Sequence, residues 1–312
     1  MIKTVLKIFL AVIIYTVLFI TANALLPFSK EFKELGSSGD PLSFLYLLIS
    51  SAWACFTIYY IIKNTFYSGK KLLINILCIM FFVQYFMTQI ETLFFGNAFT
   101  VLTKLDITLI MFAGLIPLLG TIPLLIKYFQ NQNIECERST CSAATWKLRP
   151  FGLVGGSSKL CIKDISIKLG IIGIIYLCIY MLFGYFVAWQ FEELRIFYTG
   201  SAEKLSFWGQ MNNITKTNPI TFPFQILRGA LFGAAVVPIR NMINKNKKVF
   251  ITSVCLIYLC TAIVLIIPNV LFPDIVRIAH LIEMTGSMLL FGIIAGNILW
   301  AGILQRSSPR IL

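Results

Sequence analysis

Six polar side chains stand inside or at the mouths of long apolar runs, and their types could do chemistry there: Glu91, Arg228, Arg277, His280, Glu283 and Ser287. An ionisable group at the centre of a membrane helix costs at least about 2.5 kcal/mol, so each such residue is by default an expected functional position. An arginine so placed holds an anionic group or pairs with a carboxylate. Glutamates take a cation or a proton, and histidine is the side-chain type that changes charge near neutrality. His280 is the single histidine of the chain. At about 100° per residue, Arg277, His280, Glu283 and Ser287 share roughly a third of a helix circumference and form one polar face. Glu192 and Glu193 precede another apolar-rich segment at the same level and are expected as further contributors. These residues leave two readings open. One is a site for a small molecule, ion or lipid, with Arg228 on an anionic group and Glu91, Glu283 and His280 on a cation or proton. The other is a set of ion pairs that hold helix register.

The elements that must position them are eight apolar runs: Val5–Phe28, Leu42–Ile62, Leu72–Phe95, Ile107–Ile126, Leu169–Phe191, Ile220–Ile239, Val249–Phe272 and Leu281–Leu304. A helix needs about 20 mainly apolar residues to cross roughly 30 Å of hydrocarbon, where every backbone N–H and C=O must be satisfied internally. A hydrophobic fraction of 58%, a charged fraction of 12% and a mean hydropathy of +0.85 exclude a soluble domain. The expected class is an all-α integral membrane protein with eight transmembrane helices, and its first partner is the lipid bilayer.

Basic residues orient the bundle, because lysine and arginine in short loops stay on the cytoplasmic side. Of 26 basic residues, most, including Lys3, Lys63, Lys70, Lys71, Lys127, Lys147, Lys168, Arg240, Lys247 and Arg306, fall on one side. The other side holds only Lys30, Lys33, Lys104, Arg195, Lys204, Lys216 and Arg277. Both termini and the long central loop are therefore expected in the cytoplasm, in a multi-pass protein of the cell membrane. The same asymmetry explains the net charge of +13 without a nucleic-acid partner. Lys3 and Lys7, the apolar stretch after them and Ala22-Asn23-Ala24 imitate a signal peptide. Apolar character continues through Leu25, Leu26 and Phe28, so an uncleaved first helix is expected.

The chain divides into a first membrane half (1–126), a linker loop (127–168) and a second half (169–312). Asp40-Pro41-Leu42-Ser43-Phe44 aligns with Asn218-Pro219-Ile220-Thr221-Phe222, and at the same offset Glu91-Thr92-Leu93-Phe94 meets Asn269-Val270-Leu271-Phe272. This suggests a four-plus-four parallel pseudo-repeat, an arrangement in which transporters place sites near the repeat interface. Pro117 and Pro123, with Gly114 and Gly120, mark a break in span four. Its partner, span eight, carries Gly286, Gly292 and Gly296. The pairs Gly229/Gly233 and Gly292/Gly296 have the spacing of close helix packing.

No catalytic or cofactor signature is present. Eight cysteines show no disulfide framework, and Cys136, Cys141 and Cys161 lack the spacing and histidines of a zinc site. A single histidine excludes bis-histidine haem within the chain. Glu192-Glu193-Leu194-Arg195 misses the Glu-Glu-x-x-x-Arg spacing of CAAX-type intramembrane proteases, position 197 being Phe197. Tyr198, Phe207 and Trp208 suit a segment lying in the outer interface. No metal or other cofactor is expected.

The leading expectation is a transporter-like or small-molecule or lipid-handling membrane protein with an outward-facing site between spans three, six and eight. The alternative is a structural or assembly subunit that binds a membrane-protein partner or a second copy of itself, and a membrane-embedded enzyme comes third. In a cysteine-free background, Lys204→Cys is expected to react with an impermeant maleimide on intact cells and Lys248→Cys only after lysis. The reverse pattern would overturn the orientation.

Overall fold

The computed structural model describes residues 2–36, 42–96, 99, 101–130, 158–243, 246–268 and 271–301. Among them there are helices and no strand. Eight helices are long and apolar enough to cross a bilayer, as a multi-pass membrane protein requires. They are termed spans one to eight: Ile2–Leu25, Ser43–Asn64, Gly69–Phe94, Lys104–Phe129, Ser158–Phe186, Thr221–Met242, Lys247–Ile266 and Asp274–Trp300. Three short helices, Lys30–Gly36, Glu192–Thr199 and Phe207–Thr217, lie in connections at one end. Asp40, Pro41, Asn269 and Val270 of the aligned halves lie outside the described residues, as do Cys136, Cys141 and the side chain of Cys161.

Contacts between helix ends show the chain running up and down. Lys7 at the start of span one lies over the ring of Tyr128 at the end of span four, and the Phe66 N–H after span two donates to the Met242 carbonyl ending span six. At the opposite, distal end, Ser29 after span one donates from its N–H and Oγ to Asp106 in the first turn of span four, both at 2.8 Å. Asp106 also completes a capping box with Thr103, which satisfies N–H groups that start span four.

One apolar core runs through both halves, from Tyr15 and Ile58 through Met80 and Phe232 to Phe291 and Trp300. Span seven stands at its centre: it packs against spans two, three and eight, and 56% of its most apolar stretch is buried. The outward faces carry Val5, Phe9, Leu105, Ile174, Leu227 and Ile282, all exposed. A soluble fold would hide such residues, whereas a lipid-facing surface is made of them. The two glycine pairs are occupied inside the chain. Gly229 and Gly233 let span six lie against Gly173, Tyr176 and Ile172 of span five, and Gly292 and Gly296 meet Cys255 and Ile251 of span seven.

Several boundaries differ from the sequence reading. Span five begins at Ser158 rather than Leu169. Span seven ends in a 3-10 turn at Val264–Ile266, before Pro268, rather than at Phe272. Span eight begins at Asp274, directly after Pro273, rather than at Leu281. Glu283 thus lies nine residues, about 13 Å, inside its helix rather than at its mouth. Span eight runs without a break to Trp300 despite its glycines. Span four is interrupted at Gly114, as its prolines suggested. The physical cause is Pro117, which has no N–H to donate to the Ala113 carbonyl. Gly114 is required there, because a Cβ would fall 2.2 Å from the Tyr85 ring. Tyr85 belongs to a π-helical turn, Phe81–Phe86, inside span three. No feature of the sequence reading anticipated that turn.

Gly229→Ala places a Cβ 2.3 Å from Tyr176 Cβ and 2.9 Å from Gly173 Cα, an overpacking that costs roughly 1–3 kcal/mol. Thermal unfolding in detergent is expected to show a clear loss for this variant. Gly170→Ala meets nothing within 4 Å and leaves the unfolding temperature unchanged or raised.

Candidate functional site

Arg228 and Glu91 meet across spans six and three as a bidentate pair. Nη1 donates to Glu91 Oε1 and Nη2 to Oε2, both at 2.6 Å. Nη1 also donates to Gln225 Oε1 at 3.0 Å, and Nη2 to the Met87 carbonyl at 3.4 Å. Tyr176, Phe224 and Phe232 surround the guanidinium with rings 5.7 to 5.9 Å away. At 1% exposure Arg228 is closed off from the cavity, and its Nε has no partner among the described residues, so an anionic group in the cavity does not reach it. Glu91 remains about a quarter exposed on its other side.

His280 and Glu283 form the second pair, one turn apart on span eight, with His280 Nδ1 3.0 Å from Glu283 Oε2. The other ring nitrogen, Nε2, lies 3.0 Å from the Tyr198 hydroxyl. Tyr198 sits on the short Glu192–Thr199 helix. Burial raises its phenol well above the ordinary tyrosine value, and the Glu91 and Glu283 carboxylates push in the same direction. The phenol therefore stays protonated: it donates to Nε2 of a neutral imidazole, whose own proton then sits on Nδ1 facing Glu283, or accepts from Nε2–H of a protonated one. The three side chains form a relay from the distal loop into the bundle.

Both pairs border one cavity of about 670 Å³ at the distal half of the bundle. Glu91, Thr88, Gln84 and Tyr85 of span three line it, with Tyr180 and Gly184 of span five. Tyr198, His280, Glu283, Trp189 and Phe272 close another side. Span six contributes only Thr221, at its first turn, while spans one, two, four and seven and the Phe207–Thr217 helix also line the space, so the cavity is not confined to spans three, six and eight. Its volume and its mixed lining of apolar, aromatic and polar groups are those of small-molecule sites.

The remaining expected residues stand elsewhere. Arg277 donates to the Leu265 and Ile266 carbonyls, each at 3.0 Å, and to Asp274. It thereby caps the end of span seven, whose last carbonyls have no helical partner. Ser287 is buried one turn deeper than Glu283, its hydroxyl donating to the Met284 carbonyl at 3.4 Å. Glu192 and Glu193 are exposed in the first turn of their short helix, where negative charge suits the helix N-terminus. Pro117 and Pro123 lie in the second segment of span four, and neither borders the cavity. Trp208 is 77% exposed, as an interfacial ring would be, while Tyr198 turns inward instead.

Residues that sequence reasoning passed over are Tyr180, Tyr15, Tyr85 and Gln84, while Tyr198 was expected at the outer interface. Tyr15 of span one shares a 2.5 Å hydrogen bond with Tyr85. Gln84, 6% exposed, lines the cavity with a side-chain oxygen that has no partner among the described residues. An amide inside the aromatic run Phe81–Phe86 was a signal available in the sequence. Among the described residues no group of three or more histidine, cysteine, aspartate or glutamate side chains converges as a metal site would. Compared with known proteins, the chain matches no family model, no curated protein and no solved structure.

Removing one member of a buried ion pair costs about 3–5 kcal/mol because the other charge is left unpaired. Glu91→Leu and Arg228→Met are each expected to lower the unfolding temperature sharply in detergent. The double variant is expected to recover much of that loss. Additive losses would show that the two groups do not act as a pair.

Proposed function

We propose that this chain is a transporter-like, small-molecule-handling membrane protein whose binding site is the distal cavity. The observation that carries the reading is that cavity: about 670 Å³, bordered by Glu91 and the Tyr198–His280–Glu283 relay. Carboxylates in such surroundings are expensive unless they serve a purpose. The distribution of basic residues supports an outward-facing opening, with both termini in the cytoplasm.

The bundle in this reading has eight membrane helices. Motion is assigned to spans three and four, where the π-turn and the Gly114 break meet through the Tyr85 ring. Both are departures from α-helical bonding of the kind found at functional sites. A four-plus-four parallel repeat would pair span four with span eight. Span eight is continuous, so the break in span four has no counterpart there.

An assembly subunit would use its small-residue faces to bind a partner. Here those faces are filled by spans five and seven, which favours the ligand-binding reading.

Gly184 lines the cavity, and a Cβ there meets nothing within 4 Å. Gly184→Phe is therefore expected to fold normally while filling the cavity. Mass spectrometry of gently purified protein is expected to find a small molecule retained by the wild type and lost from this variant. Equal retention by both, or an empty wild-type cavity, would overturn the reading.

A further inference from the structure

We propose that the ligand of the distal cavity is a monovalent organic cation, a quaternary or protonated amine, and that its binding expels one proton from His280. This rests on the small-molecule reading above and names the substrate class of the same site.

The argument begins with charge. Among the described residues that line the cavity there is no lysine or arginine, and the charged or titratable acids and bases are Glu91, Glu283 and His280 with several tyrosines. Arg228 lies behind Glu91 and is balanced by it through two 2.6 Å contacts. Glu283 has no such partner. Its Oε2 faces His280 Nδ1 at 3.0 Å. With a neutral imidazole the cavity carries one uncompensated negative charge. With a protonated imidazole it carries none. One positive charge is wanted, and either a proton on His280 or a bound cation supplies it.

The walls point to a cation: they are aromatic, and Tyr15, Tyr85, Tyr180, Trp189, Tyr198 and Phe272 all line the space. Ring faces attract cations, most strongly when water is excluded.

The groups around the His280–Glu283 pair leave the exchange to that pair. Tyr198 donates from the short distal helix. Tyr176 and Tyr180 of span five lie within the field of both Glu283 and Glu91. On span six Arg228 is paired, and on span seven Tyr258 and Cys255 are turned to the Phe232 and Leu289 carbonyls. On span eight itself Arg277 is held by Asp274 and two carbonyls. In the exchange, the Nδ1 or Nε2 bond to the extra proton breaks, that proton leaves to water, and the cation takes its place opposite Glu283. Net charge is conserved.

The test uses benzyltrimethylammonium, whose charge is fixed at all pH values, with benzenesulfonate and benzyl alcohol as anionic and neutral counterparts. Binding is read from the fluorescence of purified protein, in which Trp189 lines the cavity. The ammonium is expected to bind best, with affinity rising by up to about tenfold per pH unit over the range in which His280 loses its proton. His280→Gln is expected to keep the binding and flatten its pH dependence, and Glu283→Gln to abolish it. Preference for benzenesulfonate or benzyl alcohol, with that binding lost in Gly184→Phe, would overturn the cation inference and keep the small-molecule reading. Binding of none of the three probes would overturn both. Ammonium affinity independent of pH would overturn the proton exchange.

Discussion

In hydrocarbon a charge must find its opposite within the protein, and the Glu91–Arg228 pair is where this chain meets that constraint most fully. Arg228 is among the largest completely buried side chains, and both its terminal nitrogens are committed to one carboxylate. Because the pair joins span three to span six, it links the first half of the chain to the second. The stacked rings of Phe94 and Phe224, 3.9 Å apart, continue the same seam one turn further out. With its one guanidinium neutralised there, the cavity is left with the carboxylate and imidazole of span eight as its unsettled electrostatics.

The ends of the helices answer the same requirement in quieter ways. Proline sets several of them: Pro117 interrupts span four, Pro268 follows the last turn of span seven, and Pro273 precedes span eight. Each leaves carbonyls or N–H groups that something else must satisfy. Arg277 takes two carbonyls, Arg195 takes those of Trp189, Gln190 and Ala202, and Asp106 takes the N–H groups of Ser29 and Thr103. The distal loops are thus tied down by charged side chains whose work is structural, which is why position near the cavity alone does not make a residue part of it.

The eight helices were legible because twenty apolar residues in a row leave few alternatives to a membrane helix. The pairing of Glu91 with Arg228 and of His280 with Glu283 was legible as a neighbourhood, since rare charges in apolar runs seek one another. Helix ends were less so. Val264 to Ile267 reads as continuous apolar helix, yet the chain turns there, and the apolar run of span eight begins at Leu281, yet its helix starts at Asp274 directly after Pro273. Arg277 and His280 lie on one face and still serve different masters, a distinction set by what packs against each turn. Tyr198 could not be assigned from its surroundings, because an aromatic residue in a connecting segment faces lipid or cavity according to how its short helix docks. The π-turn has no local pattern at all. It carries Tyr85 against Gly114 and Tyr15.

Span seven, the most apolar of the eight helices and the most enclosed, also bears on how the molecule comes to be built. A chain made from its N-terminus delivers six helices to the membrane before the one that stands between them. Spans two, three and six must therefore spend that interval beside lipid, or beside an insertion factor, with a vacancy where Tyr258 and Phe250 will later sit. The cavity has no complete wall until spans seven and eight arrive, so a truncated chain is left with the buried arginine pair but without an enclosed cavity.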